Sequence, residues 1–440
     1  MERSPLEVLR PSGIFSRDVI EDIQIKAELG RYRIRGFGTL RQRPLPSFDD
    51  LTFIPGTLTR IPLEGYREKC VTKTILGSRF AEHPIELDIP VMITGMSYGA
   101  LSYNAKVALA QGATKAGTST TTGDGGMLPA EREYSKVLIY EVLPSRYGLD
   151  VHHLKSADGI EITVGQGAKP STGGLLLGTK VSKTIAKMRD LPEGVDQRSP
   201  CRHPEFLGPD DLILKIEEFR EATDWQVPVF VKMGATRTYD DVKLAAKVGA
   251  DVIVVDGMEG GTGASPDLLM DHTGIPTLAA VCEARRALEE LGLYGKVGLI
   301  IAGGIRNGAD AAKAIALGAD AIYIGTAALI ALNCNKPTYL EDYRKLGTEA
   351  GACHHCHTGL CPVGITTQDP QLMERLPIPD ASERVANFLQ AMTLEIQMLA
   401  RACGKRNVHD LEPEDLRALT IESSAITGLP LVGTNWVPGR

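Results

Sequence analysis

From residue 90 onward, short apolar runs alternate with Ala- and Lys-rich segments of helical period, and glycine-rich turns join them. The runs are VMITGMS (91–97), TSTTTG (118–123), KVLIYEVL (136–143), GIEITVGQ (159–166), VFVKMG (229–234), VIVVDGM (252–258), LIIAGGI (299–305) and AIYIGTA (321–327). Such alternation is the βα signature of a parallel sheet. Eight runs predict an α/β fold of the closed (β/α)8 TIM-barrel type, although a doubly wound open sheet would also use most of them. The barrel is favoured because nearly every run ends in a polar residue or glycine: Ser97, Asp124, Gln166, Lys232, Glu259, Gly303 and Gly325. Barrel active sites are built on that C-terminal face.

The flanks follow other rules. Residues 1–85 carry no repeating pattern and are expected to form an ordered, irregular N-terminal extension; the barrel is placed at 86–333, a cysteine loop at 334–370 and a C-terminal helical segment at 371–440. The stretch 166–228 is too long for an ordinary βα connection and is expected to shape a substrate pocket. Within 382–403, Val385, Phe388, Leu389, Met392, Leu394, Ile396 and Leu399 recur at near-helical spacing and predict a packing helix. A second helix is expected over 412–427.

Composition narrows the function classes. In 440 residues, 43% hydrophobic and 23% charged content is that of a globular protein, and 48 Lys+Arg against 55 Asp+Glu give a net charge of -7. That balance provides no basic footprint for nucleic acid or an anionic membrane, so small molecules and proteins are the expected partners. The start, MERSPLEVLRPSG, has charges and prolines where a signal peptide needs an apolar core, and the expected location is cytoplasmic. Cys70, Cys201, Cys282 and Cys403 are scattered, which argues against a disulfide framework.

The remaining cysteines do not scatter. CHHCHTGLCPVGI (353–365) sets Cys353, Cys356 and Cys361 among three histidines, just downstream of the last glycine-rich turns. Thiolates with a following Cys-Pro suit an iron-sulfur cluster, and the CxxC spacing also suits zinc. His354, His355 and His357 are read as loop residues rather than ligands. Gly303, Gly304 and Gly325 free the backbone to approach a phosphate, with donors from Thr326 and the following helix, as phosphate sites after the seventh and eighth barrel strands do. A turn-only role for these glycines is the plainer alternative. Lys232 lies inside an apolar run, where a buried ammonium needs a partner such as a reduced flavin. The loop 256–266, with Glu259, Gly260 and Gly261, is placed to approach a cofactor. Gln166 and Lys169, three residues apart in a loop, form a pairing able to hold a dicarboxylate such as 2-oxoglutarate. Asp124 faces the same mouth and suits an ammonium, amide or imine.

Taken together, ITGMSYGALS, TTTGDGG, QGAKPSTGG, DGMEGGTGASP, AGGIRNGAD, IGTAALIALNC and CHTGLCPVGITTQ, in this order, resemble the FMN-binding, iron-sulfur domain of glutamate synthases. The resemblance implies FMN held by Ser97, Lys232, Glu259, Gly260, Gly261, Gly303, Gly304, Gly325 and Thr326. It places Gln166, Lys169 and Asp124 at the substrate, and a cluster on the cysteines. The family pattern has a glutamate where Asp124 stands and a cysteine where Ala350 stands. Cys353 or Cys334 is then left to complete a [3Fe-4S] set with Cys356 and Cys361, and both together would make a four-thiolate [4Fe-4S] set. Glu2 occupies the position of an amidotransferase nucleophile, so the resemblance implies partners: a glutamine amidotransferase-like subunit and a β-helix subunit. The stand-alone FMN subunit of N-methylglutamate synthases is the member most resembled, and the expected reaction forms N-methylglutamate from methylamine and glutamate. Glutamate synthesis from glutamine and 2-oxoglutarate, or an electron-transfer subunit without substrate chemistry, are the other readings.

Overall fold

The computed structural model describes residue 14 and residues 16–36, 38–39, 45–65 and 67–439. Parts of the 1–85 extension, including its first thirteen residues, lie outside this range.

All eight predicted runs are strands of one parallel sheet: β1 (Val91–Ile93), β2 (Ser119–Thr121), β3 (Val137–Val142), β4 (Gly159–Thr163), β5 (Val229–Gly234), β6 (Val252–Asp256), β7 (Gly298–Ala302) and β8 (Ala321–Ile324). Their order is β1-β8-β7-β6-β5-β4-β3-β2, which is sequential around a ring. The ring is closed between β1 and β2 by side chains: Thr118 Oγ1 donates to the Val91 carbonyl at 2.7 Å and Thr121 Oγ1 to the Ile93 carbonyl at 3.3 Å. The threonine-rich run 118–122 thus supplies the closure that backbone ladder bonds make elsewhere.

Two apolar layers hold the barrel. Outward residues such as Val231, Ile253, Val255 and Ile301 pack under the surrounding helices. Inward residues Met92, Ile139, Phe230, Val252, Val254 and Ile300 fill the bottom of the barrel, where a hairpin of Thr74–Leu76 with Ile85–Leu87 plugs it through Leu76, Ile85 and Leu87. Polar inward residues are therefore left for the upper, C-terminal half.

The extension is more regular than its sequence pattern predicts. It contains helix α1 (Arg17–Leu29), capped by Ser16, whose hydroxyl accepts from Val19 N–H, and ended by Gly30 in the left-handed conformation. Val19, Ile23 and Ala27 stand at helical spacing within α1, so its period was readable alongside its caps. A short strand, Ile34–Arg35, then pairs antiparallel with Pro266 and Ser265 and lays the extension across the barrel mouth.

After β1 comes α2 (Tyr103–Ala116), and α3 (Thr277–Glu290) and α4 (Gly308–Ala316) flank β7. The predicted packing helix is α5 (Ile378–Ala402), which starts four residues before the predicted 382, behind Pro377 and with Pro379 in its first turn. It lies against α2 so closely that a Cβ on Gly112 would stand 2.7 Å from Val385. The helix expected over 412–427 is a correction. A 3-10 turn (Pro413–Asp415) leads to a strand (Leu416–Ala418) paired with Leu51–Phe53, and only Ile421–Thr427 is helical. Leu416 and Ala418 are buried while Arg417 between them is not, a period of two that the sheet partner selects.

Candidate functional site

The C-terminal ends of the strands open into two adjoining cavities that share Thr94, Asp256, Gly261, Gly325, Thr326 and Cys353 in their walls. The first reaches Ser97, Asp124, Gln166, Lys169 and Lys232 on one side and Cys334, Cys353, Cys356 and Cys361 on the other. The second, about 1050 Å³, is walled by Glu259, Gly260, Gly303, Gly304 and Arg306. Every residue singled out from the sequence for chemistry thus borders one or the other of these adjoining cavities, at the face the strand ends predicted.

The glycine wall has the character of a cradle. Gly303 and Gly304 have φ of 106° and 68°, and a Cβ on Gly304 would stand 2.6 Å from Glu259 Cβ, so neither position accepts an L side chain without strain. A Cβ on Gly325 would meet only Thr94 Cγ2, at 3.1 Å, which leaves backbone bare toward the cavity; Thr326 opens the short helix Thr326–Ala331 beside it. Glu259 has a different task from a ligand: its carboxylate accepts from the N–H and hydroxyl of Thr277 at 2.9 and 2.7 Å, capping α3. Burial raises its carboxyl above the ordinary range.

On the substrate side, the insertion 166–228 folds over the mouth as a short hairpin (Leu175–Leu176 with Gln197–Arg198) and a helix (Lys183–Arg189) before its crossover helix (Pro209–Ala222). Lys169 Nζ is buried and donates to the Ala264 carbonyl at 3.1 Å; burial lowers its ammonium to about 8, with Asp124 acting in the opposite sense. Asp124 accepts hydroxyls from Ser145 at 2.6 Å and Ser199 at 2.8 Å. Arg189, fully inside this wall, donates to the carbonyls of Tyr98 and Asp124 and to Gln197 Oε1, while its Nε and Gln197 Nε2 have no hydrogen-bond partner among the described residues. These donors point to a polar ligand, and sequence reading missed both: nothing in the insertion's pattern distinguishes Arg189 from its neighbouring surface cations.

Lys232 does point inward, but its partner is supplied by the protein. Its Nζ lies 3.2 Å from Glu141 on β3, 3.2 Å from Glu161 on β4 and 3.2 Å from Thr94 Oγ1. Burial opposes the charge on Lys232, yet Glu141 and Glu161 together hold the ammonium well above its ordinary value. Both glutamates sit inside apolar runs, the very signal that singled out Lys232, and the same reasoning applied to them would have found the trio.

The cysteine loop is tied to the first barrel loop. Ser102 donates through N–H to Ile365 O and through Oγ to Gly364 O, both at 2.7 Å, and Lys180 Nζ bridges Ala100 O at 2.7 Å and Cys356 O at 3.0 Å. Asn335 links the two remaining cysteines: its Nδ2 reaches Cys334 Sγ at 3.5 Å and its Oδ1 accepts from the Cys353 backbone N–H at 3.1 Å. The sequence left Cys334 and Cys353 as alternatives; the fold brings both to the wall. Burial raises the Cys356 thiol to about 12, and burial with the neighbouring thiols keeps Cys334 higher still. Among the described residues, no three His, Cys, Asp or Glu side chains are grouped as ligands of one metal ion. No helix among the described residues is long and apolar enough to cross a membrane.

The closed parallel barrel with its ligand space at the C-terminal mouth defines an α/β-barrel protein of the TIM type, and solved structures of that architecture agree. A mandelate oxidase carrying an FMN adduct aligns with a TM-score of 0.52 at 17% identity over 84% of this chain and 88% of that one. A flavocytochrome b2 with benzoylformate aligns at 0.54 and 15% identity over 88% and 80%. The model of the conserved region in glutamate synthase matches residues 49–406, and the chain belongs to that family. Among its relatives, a glutamate synthase large subunit-like protein of Rhizobium meliloti is 56% identical over 99% of this chain and 98% of its own length. The archaeal glutamate synthase [NADPH] of Methanocaldococcus jannaschii is 36% identical over 91% and 81%. The glutamate synthase [NADPH] large chain of Bacillus subtilis shares 31% identity over 72% of this chain but only 20% of that chain.

Proposed function

We propose that this chain is the flavin-binding barrel of a glutamate synthase-type enzyme that reduces an imine of 2-oxoglutarate to glutamate. The observation that carries the reading is the pair of adjoining cavities with shared walls, one bordered by the glycine cradle and the other by Lys169, Gln166, Asp124 and four thiols. The strained glycines, with bare backbone at Gly325, fit the phosphate of FMN, with Ser97, Lys232, Gly260, Gly261 and Thr326 lining its path and Glu259 bracing the turn. When bound, FMN supplies the hydride. The chain's own residues bind and orient: Lys169, Gln166 and the uncommitted N–H groups of Arg189 and Gln197 suit the two carboxylates of the substrate, and Asp124, held by two serines, suits the nitrogen. The donor set of Cys334, Cys353, Cys356 and Cys361 fits an iron-sulfur cluster, whose thiolates bind separate irons rather than one ion. Ammonia and electrons would come from partner subunits, an amidotransferase-like one and a β-helix one among them.

The relatives are named as glutamate synthases, which favours ammonia over the methylamine expected from the sequence. Anaerobic reconstitution with FMN and iron, followed by 2-oxoglutarate, ammonia and dithionite, tests the reading: glutamate forms, and Lys169→Met forms none while keeping its flavin. N-Methylglutamate from methylamine and glutamate would move the assignment to that reaction. Bound flavin with no product from either mixture would leave an electron-transfer subunit.

A further inference from the structure

The barrel interior beneath the mouth holds more buried charge than binding a flavin and a dicarboxylate requires. Lys232 is shared by Glu141 and Glu161 at 3.2 Å each, and Asp256 on β6 adds a third carboxylate whose field reaches Lys232. From β8, Tyr323 OH donates to Glu161 Oε2 at 3.0 Å and meets Thr121 Oγ1 of β2 at 3.3 Å; from β4, Thr163 donates to Glu141 Oε1 at 2.7 Å. One ammonium thus faces carboxylates from β3, β4 and β6. Lys232 balances only one of the two glutamates, so with both ionised the trio holds a net negative charge in a dry interior, which one proton retained on the pair removes, and Asp256 adds to the negative field.

The two glutamates differ in access. Glu161 is fully buried, with Lys232 on one oxygen and Tyr323 on the other. Glu141 lines the cavity; its Oε1 takes Lys232 and Thr163, while Oε2 makes no hydrogen bond among the described residues. A Cβ on Gly95 would lie 1.9 Å from that Oε2, so the glycine is what leaves the oxygen its place in the wall. The neighbouring candidates are differently engaged. Asp124 accepts two serine hydroxyls, and Lys169 donates to a carbonyl.

We propose that Glu141 is the proton donor of this site, resupplied from Glu161 across the Lys232 ammonium. The proposal rests on the imine-forming reading above. Ammonia adds to the keto carbon of 2-oxoglutarate to give a carbinolamine; the Glu141 carboxyl gives its proton to the hydroxyl, the C–O bond breaks, water leaves, and the nitrogen lone pair forms the C=N bond. Glu141 is left as a carboxylate, which the Glu161 proton restores, and solvent protons refill the pair through the open mouth.

Two measurements test this. Infrared titration of the purified chain needs neither flavin nor turnover: a protonated-carboxyl band is expected that is lost as pH rises through neutrality and is missing from the Glu141→Gln/Glu161→Gln double variant. No such band overturns the proposal whatever the activity. In the reconstituted enzyme, Glu141→Gln keeps the hydrogen bonds to Lys232 and Thr163, and should retain flavin and substrate binding while kcat falls about 100-fold or more and its alkaline limb flattens. Glu161→Gln should move that limb to lower pH. A Glu141→Gln loss below about tenfold with an unchanged pH profile overturns the donor role. Absence of product from the wild type overturns the proposed function, whereas product formed without the infrared band overturns the donor step alone.

Discussion

Replacing Lys232 with methionine removes one buried cation and leaves its surroundings intact. The side chain is 5% exposed and so is Glu141, while Glu161 is wholly enclosed, so solvent reaches the abandoned carboxylates only through the cavity beside Glu141. Breaking a buried ion pair by deleting one partner costs about 3–5 kcal/mol, because the remaining charge is uncompensated. The cost should depend on pH in a definite sense. Burial first, with repulsion from Glu141, already lifts the Glu161 carboxyl above its ordinary value, and Lys232 is the main charge pulling it down. A carboxyl raised in the folded state contributes stability that is present below its unfolded value and lost as pH rises through the folded one. Without Lys232 the rise is greater, so the variant should lose the full 3–5 kcal/mol near about pH 8 but only about 1–2 kcal/mol near about pH 5, where protonation neutralises the pair. Urea unfolding of wild type and variant at the two pH values measures this. Adding Glu161→Gln to Lys232→Met should recover about half of the loss, a coupling read from the double-mutant cycle. A loss under about 1 kcal/mol at the higher pH, or strict additivity of the two substitutions, would refute the shared-ammonium account.

Gly304→Ala should lose about 1–2 kcal/mol from its left-handed backbone alone, and its Cβ, 2.6 Å from Glu259 Cβ, should displace the turn and abolish FMN retention, seen as loss of the flavin absorbance after gel filtration. Lys169→Met should trade function for stability. The folded chain now carries an ammonium that burial lowers from 10.5 to about 8, a penalty present below that value and gone above the unfolded one, so the variant should gain about 3 kcal/mol near neutral pH and nothing near about pH 11. Equal thermal stability of the two proteins at neutral pH would contradict it. Cys356→Ser and Cys361→Ser should each remove the iron bound on anaerobic reconstitution, whereas Cys70→Ser, far from the mouth, should leave the iron-to-protein ratio unchanged. Cys334→Ser and Cys353→Ser, compared by the same iron assay and by paramagnetic resonance, decide between three- and four-thiolate clusters.

The barrel could be read from the chain because each strand is a short apolar run whose neighbours in sequence are its neighbours in space; local pattern and topology coincide. The same holds for the face of the site, since a strand ending in Ser97, Lys232 or Gly303 delivers that residue to one rim. Individual residues were legible where a rule of burial was broken locally, as with Lys232 inside VFVKM, and where backbone conformation demanded glycine, as at Gly303 and Gly304. The helical spacing of Val19, Ile23 and Ala27 made α1 legible as well, whereas the 416–418 strand exists only because residues 51–53, far away in sequence, offer it an edge.

Partnership, in contrast, needed the tertiary structure. Nothing within residues 1–440 read in order says that Lys232 is claimed by Glu141 and Glu161, that Asp124 is held by Ser145 and Ser199, or that Arg189 reaches back to Tyr98. Nor does it say that Asn335 joins Cys334 to Cys353, or that Gly36 passes so near Cys356 that a Cβ there would stand 3.0 Å from its sulfur. The physical reason is one of range. Hydrophobic period and backbone sterics act over a few residues and leave their mark in the string, whereas hydrogen bonds and charge pairing act over a few ångströms between segments that only closure of the barrel brings together.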